Sequence, residues 1–288
     1  MISDLVLYGL IGVNVLFSWK GFEDSAFFQR YLFRVDPILV RGERDRLLTS
    51  GFLHVSYIHL AMNMWVLYIF APYIFMVFQP LQFIALYLIS LIGGNLLSLY
   101  IHRSHGNYSA VGASGAVSGI VFAAIILIPD LQLGLLFIPG DLPAWIFGTL
   151  YILYTIFGIK KQNDNIGHEA HLGGALTGLV LMAAFLQLTG KPLDYLYFSI
   201  MFFPSAVFLY FISAHPEWMM TGKINWQNDP VIKWFNSKNK SAPKRKSHPS
   251  DETSKAELNR LLDKVSKRGY EGLTEEEKLR LDDLSKRF

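Results

Sequence analysis

Six apolar runs divide the first two-thirds of the chain: Leu5–Trp19, Ile58–Phe78, Leu81–Ile101, Ser114–Ile128, Pro143–Ile159 and Ala170–Leu188. A helix that crosses a bilayer needs about 20 mostly apolar residues. The first and fourth runs reach that length only if flanking residues join them. A seventh run, Tyr195–Ser213, is interrupted by Pro204. It is expected to span with a kink or to lie partly in the interface. The pattern predicts an all-α, polytopic membrane helical bundle with a six-helix core and a possible seventh span.

The connections differ in character. In Lys20–Ser56 polar residues alternate with the aromatic cluster Phe27, Phe28, Tyr31 and Phe33, which predicts short amphipathic helices at the lipid–water boundary. His102–Val111 is polar, Lys160–Gly167 is short and hydrophilic, and the turn at Gln79-Pro80 is minimal. After Ala214 the character changes. Lys233–Ser250 is rich in Lys, Ser, Asn and Pro, as expected of a solvated linker. Leu258, Leu261, Leu262 and Val265 then recur at helical spacing before Gly269. Thr274 and Glu277 bracket a capping box for a last helix carrying Leu281 and Leu284. The expected organisation is a membrane domain over 1–214, a polar basic linker over 215–253 and a small soluble helical hairpin over 254–288.

Composition sharpens this picture. The chain of 288 residues is 52% hydrophobic and 17% charged, values that fit a polytopic membrane protein and not an average soluble one. More than half of its Lys and Arg residues lie after Thr221, so the spans are more apolar than the average. The formal net charge of +3 carries no nucleic-acid signal. With no cysteine, disulfides, thiolate zinc sites and a cysteine nucleophile are excluded. The N-terminus lacks a basic region followed by a small-residue cleavage site, so the first run is expected to be a retained span.

Two apolar runs open on small residues around a group with chemistry. Ser114 stands in Gly112-Ala113-Ser114-Gly115, and His171 in Ala170-His171-Leu172-Gly173-Gly174. Serines in membrane helices commonly bond a carbonyl one turn back. Here Gly115 and Gly119 make a small-residue face, and Gly174 and Gly178 make a matching one beside His171. Two such faces bring backbones close enough for side chains at the helix tops to meet. Serine needs a base within about 3 Å, and imidazole has a suitable pKa. The alternative for His171 is a bond to a loop carbonyl.

His59 and Asn63 are four residues apart, on one helix face at the start of a span. Both can donate, as an oxyanion requires; equally, they could form a polar clamp between helices. No aspartate lies near these positions inside a span, and Glu169 points to another side of the helix from His171, so the residues read as a Ser–His dyad without an acid. His168-Glu169-Ala170-His171 is one residue short of the zinc motif His-Glu-x-x-His. No metal or other cofactor is expected.

The motifs, in order, resemble those of rhomboid intramembrane serine proteases. The resemblance runs from Arg41 to Leu188 through Gly42–Arg46, Thr49–His54, His59 and Asn63, Gly112–Gly115, and His171 with Gly174 and Gly178. It implies a bundle of the rhomboid type, with Ser114 as nucleophile starting the fourth helix below the membrane surface and His171 as general base on the sixth. It implies an oxyanion site from His59, Asn63 and the Ser114 N–H, with Gly112 in the same loop. It also implies an interfacial loop over Lys20–Ser56 anchored by Arg46, where many members have Trp before that arginine and this chain has Asp45. The tail resembles small C-terminal domains of bacterial members. The expected setting is therefore a bacterial inner membrane, with lipid and transmembrane protein substrates as partners and no nucleic acid. The family orientation, with a cytosolic N-terminus, puts Arg30, Arg34, Arg41, Arg44, Arg46, Lys160 and Lys161 outside, against the positive-inside tendency. Other function classes are a catalytically silent relative that escorts membrane helices and a small transporter. The chain shows neither the internal repeat nor the mid-span carboxylate expected of a transporter.

Overall fold

The computed structural model describes residues 1–134, 141–161 and 166–215, and separate positions between Glu257 and Leu281. Most of the linker expected over 215–253 lies outside the described residues. The chain divides into two compact units, Met1–Phe235 and Asn236–Phe288.

In the first unit the long helices are α1 (Ile2–Glu23), α5 (Tyr57–Phe75), α6 (Pro80–Ile101), α7 (Ser114–Leu127), α8 (Ala144–Lys161), α9 (His168–Leu188) and α10 (Tyr195–Ala214). Five of them, α1, α5, α6, α9 and α10, are long and apolar enough to cross a membrane. The protein is a multi-pass membrane protein of predominantly helical architecture. α10 is continuous through Pro204, so the proline does not split the seventh run. Helix starts follow from local chemistry. The Ser56 hydroxyl accepts from the His59 N–H at 3.1 Å at the head of α5. At α6, Pro80 takes the first position, and the Gln82 side chain accepts from the Gln79 N–H at 2.7 Å, which makes the turn compact.

The segment between α1 and α5 folds into α2 (Ser25–Tyr31), α3 (Val35–Leu39), α4 (Arg46–Thr49) and a 3-10 turn over Ser50–Phe52. Asp24 caps α2 through the N–H groups of Ala26 and Phe27, each at 3.0 Å. Arg46 is 4% exposed and ties the segment together. It donates to the carbonyls of Gln29 at 2.9 Å and Leu32 at 2.7 Å, and to Glu43 at 2.6 Å. The Arg46 hydrogen bond holds the Glu43 carboxyl below its usual range. Asp45, the residue that departs from the family pattern, pairs with Arg30 at 2.8 Å. Strands were not expected. Two short antiparallel ladders occur: β1 (Phe33–Arg34) with β2 (Ser109–Ala110), and β3 (Gln132–Gly134) with β4 (Asp141–Pro143). The first binds this segment to the loop that leads into α7.

α7 lies at the centre. Gly115 to Ile126 are all buried, enclosed by α5, α6, α8 and α9. At 14 residues it is about 21 Å long, short of a hydrocarbon core of roughly 30 Å. It ends three residues before the exposed Asp130.

In the second unit Leu261 and Leu273 are buried, with Leu281 packed against them. Thr274 and Glu277 exchange capping bonds at 3.3 and 3.0 Å, and Lys264 bonds Glu277 at 2.6 Å.

Candidate active site

The approach to Ser114 is stitched residue by residue. Ser109 and Ala110 are held in the β1–β2 ladder. The Gly112 N–H donates to the Ser50 carbonyl at 3.1 Å. The Ala113 N–H donates to His54 Nε2 at 3.4 Å. This sets the His54 tautomer: its Nδ1–H donates to the Ser18 hydroxyl at 2.8 Å, and Ser18 donates to the Phe52 carbonyl at 2.9 Å. Burial, and then the neighbouring His59 ring, push the His54 imidazole down to about 3. It is a neutral structural group. Gly112 adopts φ +136°, which a side chain rarely tolerates. Because its N–H is taken by Ser50, Gly112 shapes the loop and does not supply an oxyanion donor.

His59 and Asn63 occupy successive turns at the head of α5. A Cβ on Gly112 would sit 3.0 Å from His59 Nε2 and 3.6 Å from Ser114 Oγ, so the imidazole and the hydroxyl flank the same point. The Asn63 amide is buried and donates to the His59 carbonyl at 2.9 Å. Among the described residues His59 Nδ1 has no hydrogen-bond partner. Ser114, His59 and His171 are each partly exposed, while Ala113, Gly115 and Leu172 beside them are buried.

α9 carries His171 in its first turn, where its N–H donates to the Gly167 carbonyl at 3.1 Å. The glycine faces bring α7 and α9 into backbone contact. A Cβ on Gly174 would strike the Gly115 carbonyl, one on Gly178 the Gly119 carbonyl, and one on Gly115 would lie 3.1 Å from the Ala170 carbonyl oxygen. Ser114 and His171 are the residues adjoining Gly115 and Ala170. They thus occupy the facing first turns of abutting helices.

Three features escaped the sequence reading. α9 is also pressed on α6, with Gly173 against Gly93 and Gly94, and Gly94 against the Ala170 carbonyl. The paired glycines in both apolar runs were the available signal. Glu169 is 4% exposed, bonded to His102 Nε2 at 3.0 Å and to the Tyr108 hydroxyl at 3.4 Å. The His102 and Tyr108 rings stack at 3.6 Å and 10°. An acid at the edge of an apolar run signals a buried partner, although spacing does not identify it. Finally, Tyr151 of α8 lies nearly parallel to the His171 ring, at 19° with centroids 6.1 Å apart.

Comparison with known proteins extends this picture. Residues 41–188 match the Rhomboid domain family, and residues 252–287 match DUF6576, a family of unknown function. RHOMBOID-like protein 12, mitochondrial, from Arabidopsis thaliana is 32% identical over 198 residues, 62% of this chain and 58% of the relative. The human presenilin-associated rhomboid-like protein, mitochondrial, is 34% identical over 139 residues, 46% of this chain and 36% of the relative. Rhomboid protein 1, mitochondrial, of Saccharomyces cerevisiae is 27% identical over 180 residues, 61% of this chain and 51% of the relative. The chain thus spans between about a third and somewhat over half of these relatives. All three carry mitochondrial names, so the expectation of a bacterial type in a bacterial inner membrane finds no support in them. The domain match covers half of the chain and contains Ser114, His171, His59 and Asn63, and on it the chain belongs to the rhomboid family.

Proposed function

We propose that the protein is an intramembrane serine protease that cuts transmembrane segments of other proteins. In this reading Ser114 Oγ attacks the peptide carbonyl while His171 takes its proton. The developing oxyanion is met by the Ser114 N–H at the start of α7, by His59 and by the Asn63 amide. The protonated His171 then gives its proton to the leaving amine, and the C–N bond breaks. Water, deprotonated by the same imidazole, releases the acyl group from Ser114.

The supporting observation is the contact of Gly174 with the Gly115 backbone. Only with small residues there can the first turns of α7 and α9 face each other within reach of a side-chain hydrogen bond. With 14 residues α7 is too short for the hydrocarbon core, so in this reading its Ser114 end starts below the membrane surface, as a substrate held at membrane depth requires. Carbonyls within an intact substrate helix are already bonded, so the segment cut must first unwind, and substrates with helix-breaking Gly or Pro near the cut are expected. In this organisation residues 1–214 are the membrane domain, 215–253 a polar linker and 254–288 a separate hairpin.

The test is cleavage of a labelled single-span substrate in detergent by wild type, Ser114→Ala and His171→Ala, alongside labelling with a fluorophosphonate probe. Cleavage and labelling are expected to disappear in Ser114→Ala. Equal cleavage by all three proteins removes the dyad from consideration.

A further inference from the structure

The glycine contacts set how near α9 stands to α6 and α7, and leave its rotation open. The Ala170 carbonyl rests against Gly94 of α6 and lies 3.1 Å from a Cβ built on Gly115 of α7. Gly173 is pressed on Gly93 and Gly94. Such surfaces carry no side-chain ridge, so they oppose closer approach far more than turning or sliding. A directional hold comes from the residue beside Ala170.

Glu169 stands in the first turn of α9 and is buried. One of its carboxylate oxygens accepts from His102 Nε2 at 3.0 Å, and the other from the Tyr108 hydroxyl at 3.4 Å. The two donor rings lie face to face, 3.6 Å apart at 10°. A buried carboxylate is costly unless donors of this kind meet it, so any turn of α9 that parts them is opposed. Both donors are fixed in their turn. His102 ends α6, and its N–H donates to the Ser98 carbonyl at 2.9 Å. The Tyr108 carbonyl accepts from the Val35 N–H at 3.3 Å, and the next two residues, Ser109 and Ala110, pair with β1. The same stretch runs on to Ser114, six residues after Tyr108. One carboxylate therefore joins the first turn of α9, the end of α6 and the loop that presents the serine.

His171 is two residues beyond Glu169, about 200° round the helix, so the two side chains leave opposite sides of one axis. Side-chain atoms lie about 5–6 Å from that axis, and a turn of about 10° moves them by about 1 Å. We propose that Glu169 is a positioning residue: its bonds to His102 and Tyr108 fix the rotation of α9, and with it the place of His171 beside Ser114. The inference rests on the dyad reading, and it holds whatever partners the imidazole itself has. Glu169 touches no reacting atom; it acts through the helix.

The experiment uses the full-length protein in detergent micelles. It measures kcat and KM on a labelled single-span substrate, with active sites counted by end-point fluorophosphonate labelling, and the melting temperature. The variants are Glu169→Gln, Glu169→Ala, His102→Ala, the double variant Glu169→Ala/His102→Ala and, as references, Ser114→Ala and Glu23→Gln, which alters an exposed carboxylate of α1. Glu169→Ala is expected to lower kcat per labelled site by about 10- to 100-fold with little change in KM. Glu169→Gln keeps the size but leaves one oxygen for two donors, and a loss of about 3- to 30-fold is expected. The double variant should be about as slow as the slower single one, because both changes break the same tie. Glu23→Gln should match wild type. A lower melting temperature with wild-type kcat per site in both Glu169 variants makes the residue a stabiliser only and overturns the proposal, as do losses that multiply in the double variant. Where Glu169→Ala yields no folded protein, Glu169→Gln decides alone, and kcat per site within about 2-fold of wild type overturns the proposal. If Ser114→Ala is silent while the Glu169 variants match wild type, only this inference fails. If Ser114→Ala labels normally, the dyad fails and this inference with it.

Discussion

Replacing Gly178 with alanine adds one methyl group where the α7 backbone already stands. The new carbon would fall on the carbonyl oxygen of Gly119 and against its Cα and carbonyl carbon. Non-bonded carbons rest about 3.5–4.0 Å apart. Backbone atoms cannot swing aside as a side-chain tip can, so α7 and α9 must separate by roughly 1 Å. Overpacking of this kind costs about 1–3 kcal/mol. At about 2–4 °C per kcal/mol, melting should fall by roughly 2–12 °C. The kinetic effect is expected to be larger in proportion, because Gly178 is seven residues, about two turns, from His171 on the same helix. A reactive geometry displaced by about 1 Å loses roughly 100-fold in rate. The assay is thermal melting in detergent together with fluorophosphonate labelling. Gly9→Ala in α1 is the control, since no atom of the described residues lies within 4 Å of its added carbon. Melting and labelling of Gly178→Ala indistinguishable from Gly9→Ala would falsify the backbone-contact argument.

His59→Ala and Asn63→Ala should each slow substrate turnover by about 10- to 1000-fold if they meet the oxyanion; unchanged kcat returns them to a purely structural role. His54 has a folded-state pKa of about 3, against roughly 6.5 when unfolded. Between these values the unfolded chain binds more protons, so stability falls as pH drops below about 6.5, by at most about 1.4 kcal/mol per pH unit. The melting temperature of wild type should decline from pH 7 to 5, and less steeply in His54→Gln; parallel curves refute the assignment. Arg46→Lys keeps the charge but cannot reproduce its donors to Gln29, Leu32 and Glu43. A loss of about 1.5–3 kcal/mol is expected, read as a lower melting temperature. An unaltered melt dismisses Arg46 as the tie of that segment.

Much of the bundle was legible in advance because a bilayer imposes length and apolarity on each span before any packing occurs. The six runs and the seventh appear as α1 and α5 to α10, with ends shifted by a few residues. Pro204 left open a kinked span or a partly interfacial segment; α10 runs through it as one helix, since a proline within an apolar span need not end the helix. The β1–β2 ladder had no sequence signal, because two paired residues on each side are too few to show alternation. At the candidate site, Ser114, His171 and the facing glycines stood out as small and polar residues in an otherwise bulky apolar pattern. In the sequence His54 is only the end of the motif Thr49–His54; its bonds to Ser18 and Ala113 make it a tie between α1 and the loop before α7.

By itself the sequence determined which segments are helices and which few residues are candidates for chemistry, since both follow from local composition and spacing. Tertiary structure alone decided who meets whom. The partners of Glu169 lie 61 and 67 positions away, and Tyr151 comes from a helix whose own pattern looks like any lipid-facing span. Such contacts depend on the rotation and separation of packed helices, and these are fixed by glycine-sized gaps several elements apart, which no local periodicity encodes.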